Sequence, residues 1–143
     1  MSILSDNIKE LLIERNLNNK SFASSIGLSA GTITNYIKNE MLPTVENLVK
    51  IADYFNCSID YLLGKREDNT QTSLNECPPF SERLVYLRDY FNFSNQQIYS
   101  HPEISKSRYY DWLSGKRVPT LESVIALAEI FDCSVDFIIG REN

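Results

Sequence analysis

Apolar residues recur at intervals of three and four along this chain, and no segment alternates apolar with polar as a half-buried strand would. Ile8, Leu11 and Leu12 form a first stripe, which predicts a helix ending near Asn16-Leu17. Asn18 can cap a second helix over NKSFASSI, because its side-chain oxygen accepts from backbone N–H groups that have no partner inside the helix. Gly27 permits the left-handed backbone of a tight turn. Ser29 caps a third helix, AGTITNYIK, with Ile33, Tyr36 and Ile37 on one side. Pro43-Thr44 opens a fourth helix, with Glu46 near its positive end and Leu48, Ile51, Ala52 and Phe55 on its buried face. Ser58 caps a fifth, IDYLL, which Gly64 stops. The pattern predicts an all-α protein.

The same pattern is written twice. CSIDYLLG at Cys57–Gly64 returns as CSVDFIIG at Cys133–Gly140, and a shift of 76 places aligns residues 4–67 with 80–143 without a gap. Fifteen of those 64 pairs are identical, among them Ser29/Ser105, Pro43/Pro119, Thr44/Thr120, Phe55/Phe131 and Gly64/Gly140. Two copies at so long a period indicate duplication of a whole domain and not a solenoid. The expected organisation is a first domain over 1–64, a polar linker over 65–79 that includes Pro78-Pro79, and a second, more divergent domain over 80–143. Fifteen linker residues can stretch to roughly 50 Å or relax to about 20 Å.

A helix, a turn at Gly27 and a second helix beginning at a Ser cap form the arrangement of a helix-turn-helix. Ala23 supplies the small residue needed where the two helices cross, and Ile33 and Tyr36 supply the inner face. FASSIGLSAGTITNYIKNEMLPTVENLVKIADYFNCSIDYLLG resembles the lambda repressor/Cro-like (XRE-type) helix-turn-helix domains of bacterial and phage regulators, and IYSHPEISKSRYYDWLSGKRVPTLESVIALAEIFDCSVDFIIG resembles the same family. The most specific parts are the Pro-Thr-x-Glu start of helix four and the ending at Gly64 and Gly140. The resemblance implies two tandem five-helix bundles, a third helix that enters the major groove of double-stranded DNA, a pseudo-palindromic operator and a homodimer. It implies a sequence-specific DNA-binding transcriptional regulator, a repressor; a cytoplasmic location is expected from the lack of a membrane span and of a signal-peptide start.

The copies depart from the family, and from each other, in opposite ways. Where family members pair an Arg of helix one with a Glu on the recognition helix, the first copy has Leu12 and Ile37, and the second faces Arg88 with Leu113. In the second copy Ala23 is replaced by Tyr99, Ile26 by Pro102 and Gly27 by Glu103, which is expected to open or reshape the motif. Charge favours the second copy. Ser29–Met41 holds Lys38 and Glu40 and nets zero, whereas Ser105–Arg117 holds Lys106, Arg108, Lys116 and Arg117 against Asp111 and nets +3. Candidate groove contacts are therefore Ala30, Gly31, Thr32, Thr34 and Asn35, with Asn19 and Lys38 beside them, in the first copy. In the second they are Lys106, Ser107, Arg108, Tyr110 and Asp111, with Lys116 and Arg117 holding phosphate. Thr methyls meet thymine, Asn pairs with adenine and Arg reads guanine, while phosphate contacts position the protein.

Composition narrows the alternatives. A net charge of −5 argues against nucleic acid only when averaged over the chain, because binding depends on where charges sit. No apolar run is long enough for a membrane span, and the N-terminus lacks a signal-peptide pattern. Cys57, Cys77 and Cys133 are scattered and read as small apolar side chains, so neither a metal nor another cofactor is expected. His101 is the only histidine, no nucleophile or phosphate loop stands at a recognisable spacing, and an enzyme is not expected. The rival reading is a protein-interaction module on a degenerate helix-turn-helix scaffold. It rests on the second copy, which has Tyr86, Tyr90 and Phe91 where the first has Glu10, Glu14 and Arg15. A homodimer would use those aromatics or the end of helix five, where Leu62, Leu63, Ile138 and Ile139 need not all be buried.

Overall fold

The computed structural model describes residues 2–67 and 75–142, all of whose regular elements are α-helices. The chain divides into two compact units, Met1–Gln71 and Thr72–Asn143. Residues 68–74 of the expected linker, and Asn143 at the end of the second segment, lie outside the described residues.

The first unit holds α1 (Ile3–Glu14), α2 (Asn19–Ile26), α3 (Ala30–Ile37), α4 (Val45–Phe55) and α5 (Ile59–Leu62). The second holds α6 (Phe80–Tyr90), α7 (Asn95–Tyr99), α8 (Lys106–Ser114), α9 (Leu121–Phe131) and α10 (Val135–Ile139). Their starts follow from the caps. Asn18 Oδ1 accepts from Ser21 N at 2.8 Å, Ser29 Oγ from Thr32 N at 3.1 Å, Thr44 Oγ1 from Asn47 N at 3.1 Å and Ser58 Oγ from Tyr61 N at 2.9 Å. Ser94, Ser105, Thr120 and Ser134 do the same 76 places on. Each such cap is worth about 1 kcal/mol.

Helix ends repeat as faithfully as starts. Asn16/Asn92, Asn39/Gly115, Asn56/Asp132 and Gly64/Gly140 are all left-handed, at φ between 53° and 88°. Asn, Asp and Gly are the residues that enter this region at least cost. Gly27, at φ 74°, is the exception with no left-handed counterpart, since Glu103 stands in its place.

In each unit a polar side chain of the first helix holds the last, short helix. Asn7 Nδ2 donates to the carbonyls of Tyr61 and Leu62, both at 3.1 Å. Arg83, 76 places on, donates to the Phe137 carbonyl through Nε at 3.0 Å and also through Nη2. Its guanidinium lies 4.5 Å from the centre of the Tyr86 ring and 4.7 Å from that of Phe137. The second unit adds a buried ion pair, Arg141 Nη1 to Asp136 Oδ1 at 2.5 Å, with both side chains sealed from solvent. Asn75 N donates to the Arg141 carbonyl at 2.7 Å, so the stretch before α6 runs against the end of α10.

The four apolar residues at the ends of the fifth helices are not all buried, as expected, but three of them are. Leu62, Ile138 and Ile139 are buried within their own units and only Leu63 is half-exposed, because the ties from Asn7 and Arg83 draw these helices inward. The aromatic exchange on helix one splits into two outcomes. Phe91 is half-buried, stacked on Phe131 with ring centres 5.0 Å apart, whereas Tyr86 and Tyr90 stay 40% and 61% exposed.

Candidate nucleic-acid interface

In the first unit α2 and α3 meet as the sequence predicts. Ala23 is buried at the crossing, Leu28 N donates to its carbonyl at 2.9 Å, and Gly27 turns the chain between the helices. Ile33 and Tyr36 face inward, and the Tyr36 hydroxyl accepts from Asn47 Nδ2 of α4 at 2.9 Å. On the outer side Gly31 and Lys38 are exposed, while Ala30, Thr32, Thr34 and Asn35 are half-buried. A Cβ on Gly31 would find nothing nearer than Ser29 Oγ at 3.9 Å, so bare backbone is open there.

The hydroxyls of this face are already engaged. Thr32 Oγ1 shares a 2.8 Å hydrogen bond with Ser29 Oγ. Thr34 Oγ1 donates to the Ala30 carbonyl at 2.9 Å and accepts from Asn19 Nδ2 at 3.2 Å. Asn19 thus joins α2 to α3, and Thr34 is left to present its methyl group.

The second unit reaches the same layout by other means. Pro102 has no N–H to continue a helix, and α7 stops at Tyr99 with five residues where α2 has eight. The turn is closed by Ile104 N donating to the His101 carbonyl at 3.0 Å and Glu103 N donating to His101 Nδ1 at 3.1 Å. Tyr99 is half-buried beside the crossing, its ring 5.9 Å from that of Tyr109 and 6.1 Å from that of Tyr110. The motif is reshaped and still closed.

What replaces the small crossing residue is a polar cluster that sequence reasoning missed. Asn95 Oδ1 accepts from Arg88 Nη1 at 3.0 Å and from the buried Tyr109 hydroxyl at 2.6 Å, tying α6, α7 and α8 together. Arg88 therefore has a partner on α7 in place of the acid absent from α8. Burial raises the Tyr109 pKa, with Arg88 pulling the other way. The signal available in the sequence was the identity of Asn19 and Asn95 at the repeat distance, since each joins the second helix of its unit to the third.

Lys106, Ser107, Arg108, Tyr110, Lys116 and Arg117 are exposed along and beyond α8, and Asp111 is half-buried. Arg117 Nε lies 3.4 Å from Asp111 Oδ2, so those two charges cancel locally. Lys106 Nζ sits 5.7 Å from the centre of the Tyr99 ring. The guanidinium of Arg108 and the ammonium of Lys116 have no ion-pair partner among the described residues. Of the seven basic residues in this unit, Arg83 and Arg141 are buried and Arg88 is half-buried. The four that are exposed all fall between 106 and 117. Exposed acids sit elsewhere, at Glu76, Glu82, Asp89, Glu122, Glu129 and Asp132, apart from Glu103 in the turn.

The fold and this face define a class, that of tandem helical domains built around a helix-turn-helix. A sequence profile of the helix-turn-helix family matches residues 8–62 and 103–138, and the chain belongs to that family. The second match begins after α6 and α7. The chain is 47% identical over 62 residues to the cryptic phage CTXphi transcriptional repressor RstR of Vibrio cholerae serotype O1, covering 41% of this chain and 55% of that protein. It is 31% identical over 72 residues to another Vibrio cholerae protein of the same name, covering 50% and 65%. It is 45% identical over 40 residues to the HTH-type transcriptional regulator AnsR of Bacillus subtilis, covering 28% and 34%. The chain therefore spans less than two thirds of the length of each of these relatives. No solved structure matches it. Among the described residues no helix is long and apolar enough to cross a membrane.

Proposed function

We propose that the chain is a sequence-specific DNA-binding transcriptional regulator, a repressor of bacterial or phage type, that acts in the cytoplasm by binding and not by catalysis. The observation that carries this reading is the segregation of charge in the second unit, whose exposed cations all lie on α8 and the loop after it. A protein with an overall charge of −5 approaches a polyanion by concentrating its free cations on one face. That face belongs to the third helix of a helix-turn-helix unit, the element that enters the major groove in this class. The names of the relatives, repressors and a regulator of transcription, point the same way.

The roles divide by position. Lys106, Lys116 and Arg117 hold phosphate; Arg108, in the first turn of α8, reads a base edge, with Ser107, Tyr110 and Asp111 beside it. On α3 the methyls of Ala30 and Thr32, the bare backbone of Gly31 and the amide of Asn35 face base edges, with Thr34 and Asn19 bracing them and Lys38 near a phosphate. The test is a gel-shift titration with fragments flanking the protein's own gene at several salt concentrations. A specific complex that weakens steeply with salt is expected, and salt-independent or absent binding would overturn the reading.

A second activity has its own observation. Tyr86 and Tyr90 stand exposed on α6, ring centres 5.6 Å apart, where the first copy has Glu10 and Glu14. Exposed tyrosine pairs are the composition of contact surfaces, and a homodimer through this face would bring two chains to a two-fold operator.

A further inference from the structure

We propose that the two units read different base sequences, so that the chain recognises an asymmetric DNA site: one element of A·T pairs met by α3, and one element containing guanine met by α8. This rests on the proposed DNA binding. It goes beyond that reading by setting aside the palindrome that two like domains would suggest.

The two copies keep their scaffold and change their outward chemistry. Caps and the Pro-Thr start of the fourth helix recur at the repeat distance. The five outward positions do not: Ala30, Gly31, Thr32, Thr34 and Asn35 are matched by Lys106, Ser107, Arg108, Tyr110 and Asp111, with no identity among them. Like scaffolds with unlike faces cannot prefer the same bases, because each wrong base pair costs on the order of five- to a hundredfold in affinity.

Hydrogen bonds within each unit decide which bases. On α3 the Thr34 hydroxyl donates to the Ala30 carbonyl and accepts from Asn19, so it is not free to donate to a base edge, and the Thr32 hydroxyl is turned to Ser29 Oγ, with which it shares a hydrogen bond. Methyl groups and the Asn35 amide remain. Methyls pack on the thymine C5-methyl, and a side-chain amide pairs with adenine N6 and N7, so A·T pairs satisfy this face. On α8 the Asp111 carboxylate, which could accept from cytosine, is held by Arg117 at 3.4 Å, and Lys106 is drawn over the Tyr99 ring. Arg108 is left exposed in the first turn, and its planar fork matches guanine O6 and N7.

The test is repeated selection of double-stranded DNA from a randomised pool by the full chain, followed by selection with Arg108→Thr and with Asn35→Ala. The expected motif has two dissimilar elements for each chain bound, the pair being repeated by inversion where two chains bind together. Arg108→Thr should lower affinity for it roughly 5- to 150-fold and erase the guanine preference while keeping the A·T element. Asn35→Ala should relax an adenine in the other element alone. Unchanged circular dichroism would establish that both variants are folded. A motif built from a single repeated element, inverted or direct, or loss of both elements from one substitution, would overturn the inference while leaving DNA binding intact. Enrichment of no sequence at all would overturn both.

Discussion

Gly27 and Gly140 are both left-handed, at φ 74° and 88°, but their surroundings differ. A Cβ on Gly27 would meet nothing within 4 Å, whereas one on Gly140 would come within 2.6 Å of Pro78 Cδ. Gly27→Ala should therefore cost only backbone strain, about 1–2 kcal/mol, and Gly140→Ala distinctly more. Urea denaturation of the two variants checks the order. Tyr109 gives a pH signature. Burial raises its folded-state pKa above the ordinary value of 10.0. Folded and unfolded chains therefore hold the proton alike below pH 10, and the unfolded chain loses it first above. Stability is lost as pH rises through the folded pKa, and Tyr109→Phe should flatten that loss. At neutral pH the same change should cost only about 1 kcal/mol, because Asn95 keeps its bond from Arg88. If the alkaline limb is identical in both proteins, Tyr109 does not titrate as its burial requires. Tyr61, whose pKa burial also raises, would then account for it. Residue roles were the least legible part of the sequence. The pairing of Asp111 with Arg117 and the Asn95 cluster depend on rotamers and on neighbours that no spacing rule specifies.

Elements were more legible, for a physical reason. Caps and left-handed ends are local, so Asn18, Ser29, Thr44 and Ser58 mark helix starts that the structure keeps. Where a boundary depends on tertiary packing the reading weakened. Pro102 foretold a disturbed turn, but nothing in the sequence said that α7 would be closed by His101. How far the short last helix is buried was not legible, because the ties that hold it come from Asn7 and Arg83, more than fifty residues away in each case. Arg141→Ala should show how much α10 depends on its ion pair. Leaving Asp136 buried without that partner should destabilise the second unit by about 3–5 kcal/mol, whereas Lys65→Ala at the exposed equivalent position should be near neutral. Helix α6 makes a different prediction. Replacing Tyr86→Glu and Tyr90→Glu installs the residues of the first copy, and light scattering should then report 16.5 kDa where the unaltered chain reports twice that. A mass of 16.5 kDa for both would remove the tyrosine face as a dimer contact.

For the whole molecule, the duplication was plain from the repeat of 76 residues, and the chain does form two compact helical units. The net charge of −5 hides a basic face at 106–117, because it averages that face with acids spread over the other surfaces. Only folding separates the buried Arg83 and Arg141 from the exposed Lys106, Arg108, Lys116 and Arg117. The most direct measurement is therefore an equilibrium binding titration of the full chain on a selected duplex across salt concentrations, beside Lys106→Ala, Arg108→Ala and beside Lys116→Ala. The double change should weaken specific binding by more than about tenfold, and Lys116→Ala should weaken all sequences alike and lower the salt slope by about one. Unchanged affinity and slope in both variants would contradict the assignment of DNA binding to α8.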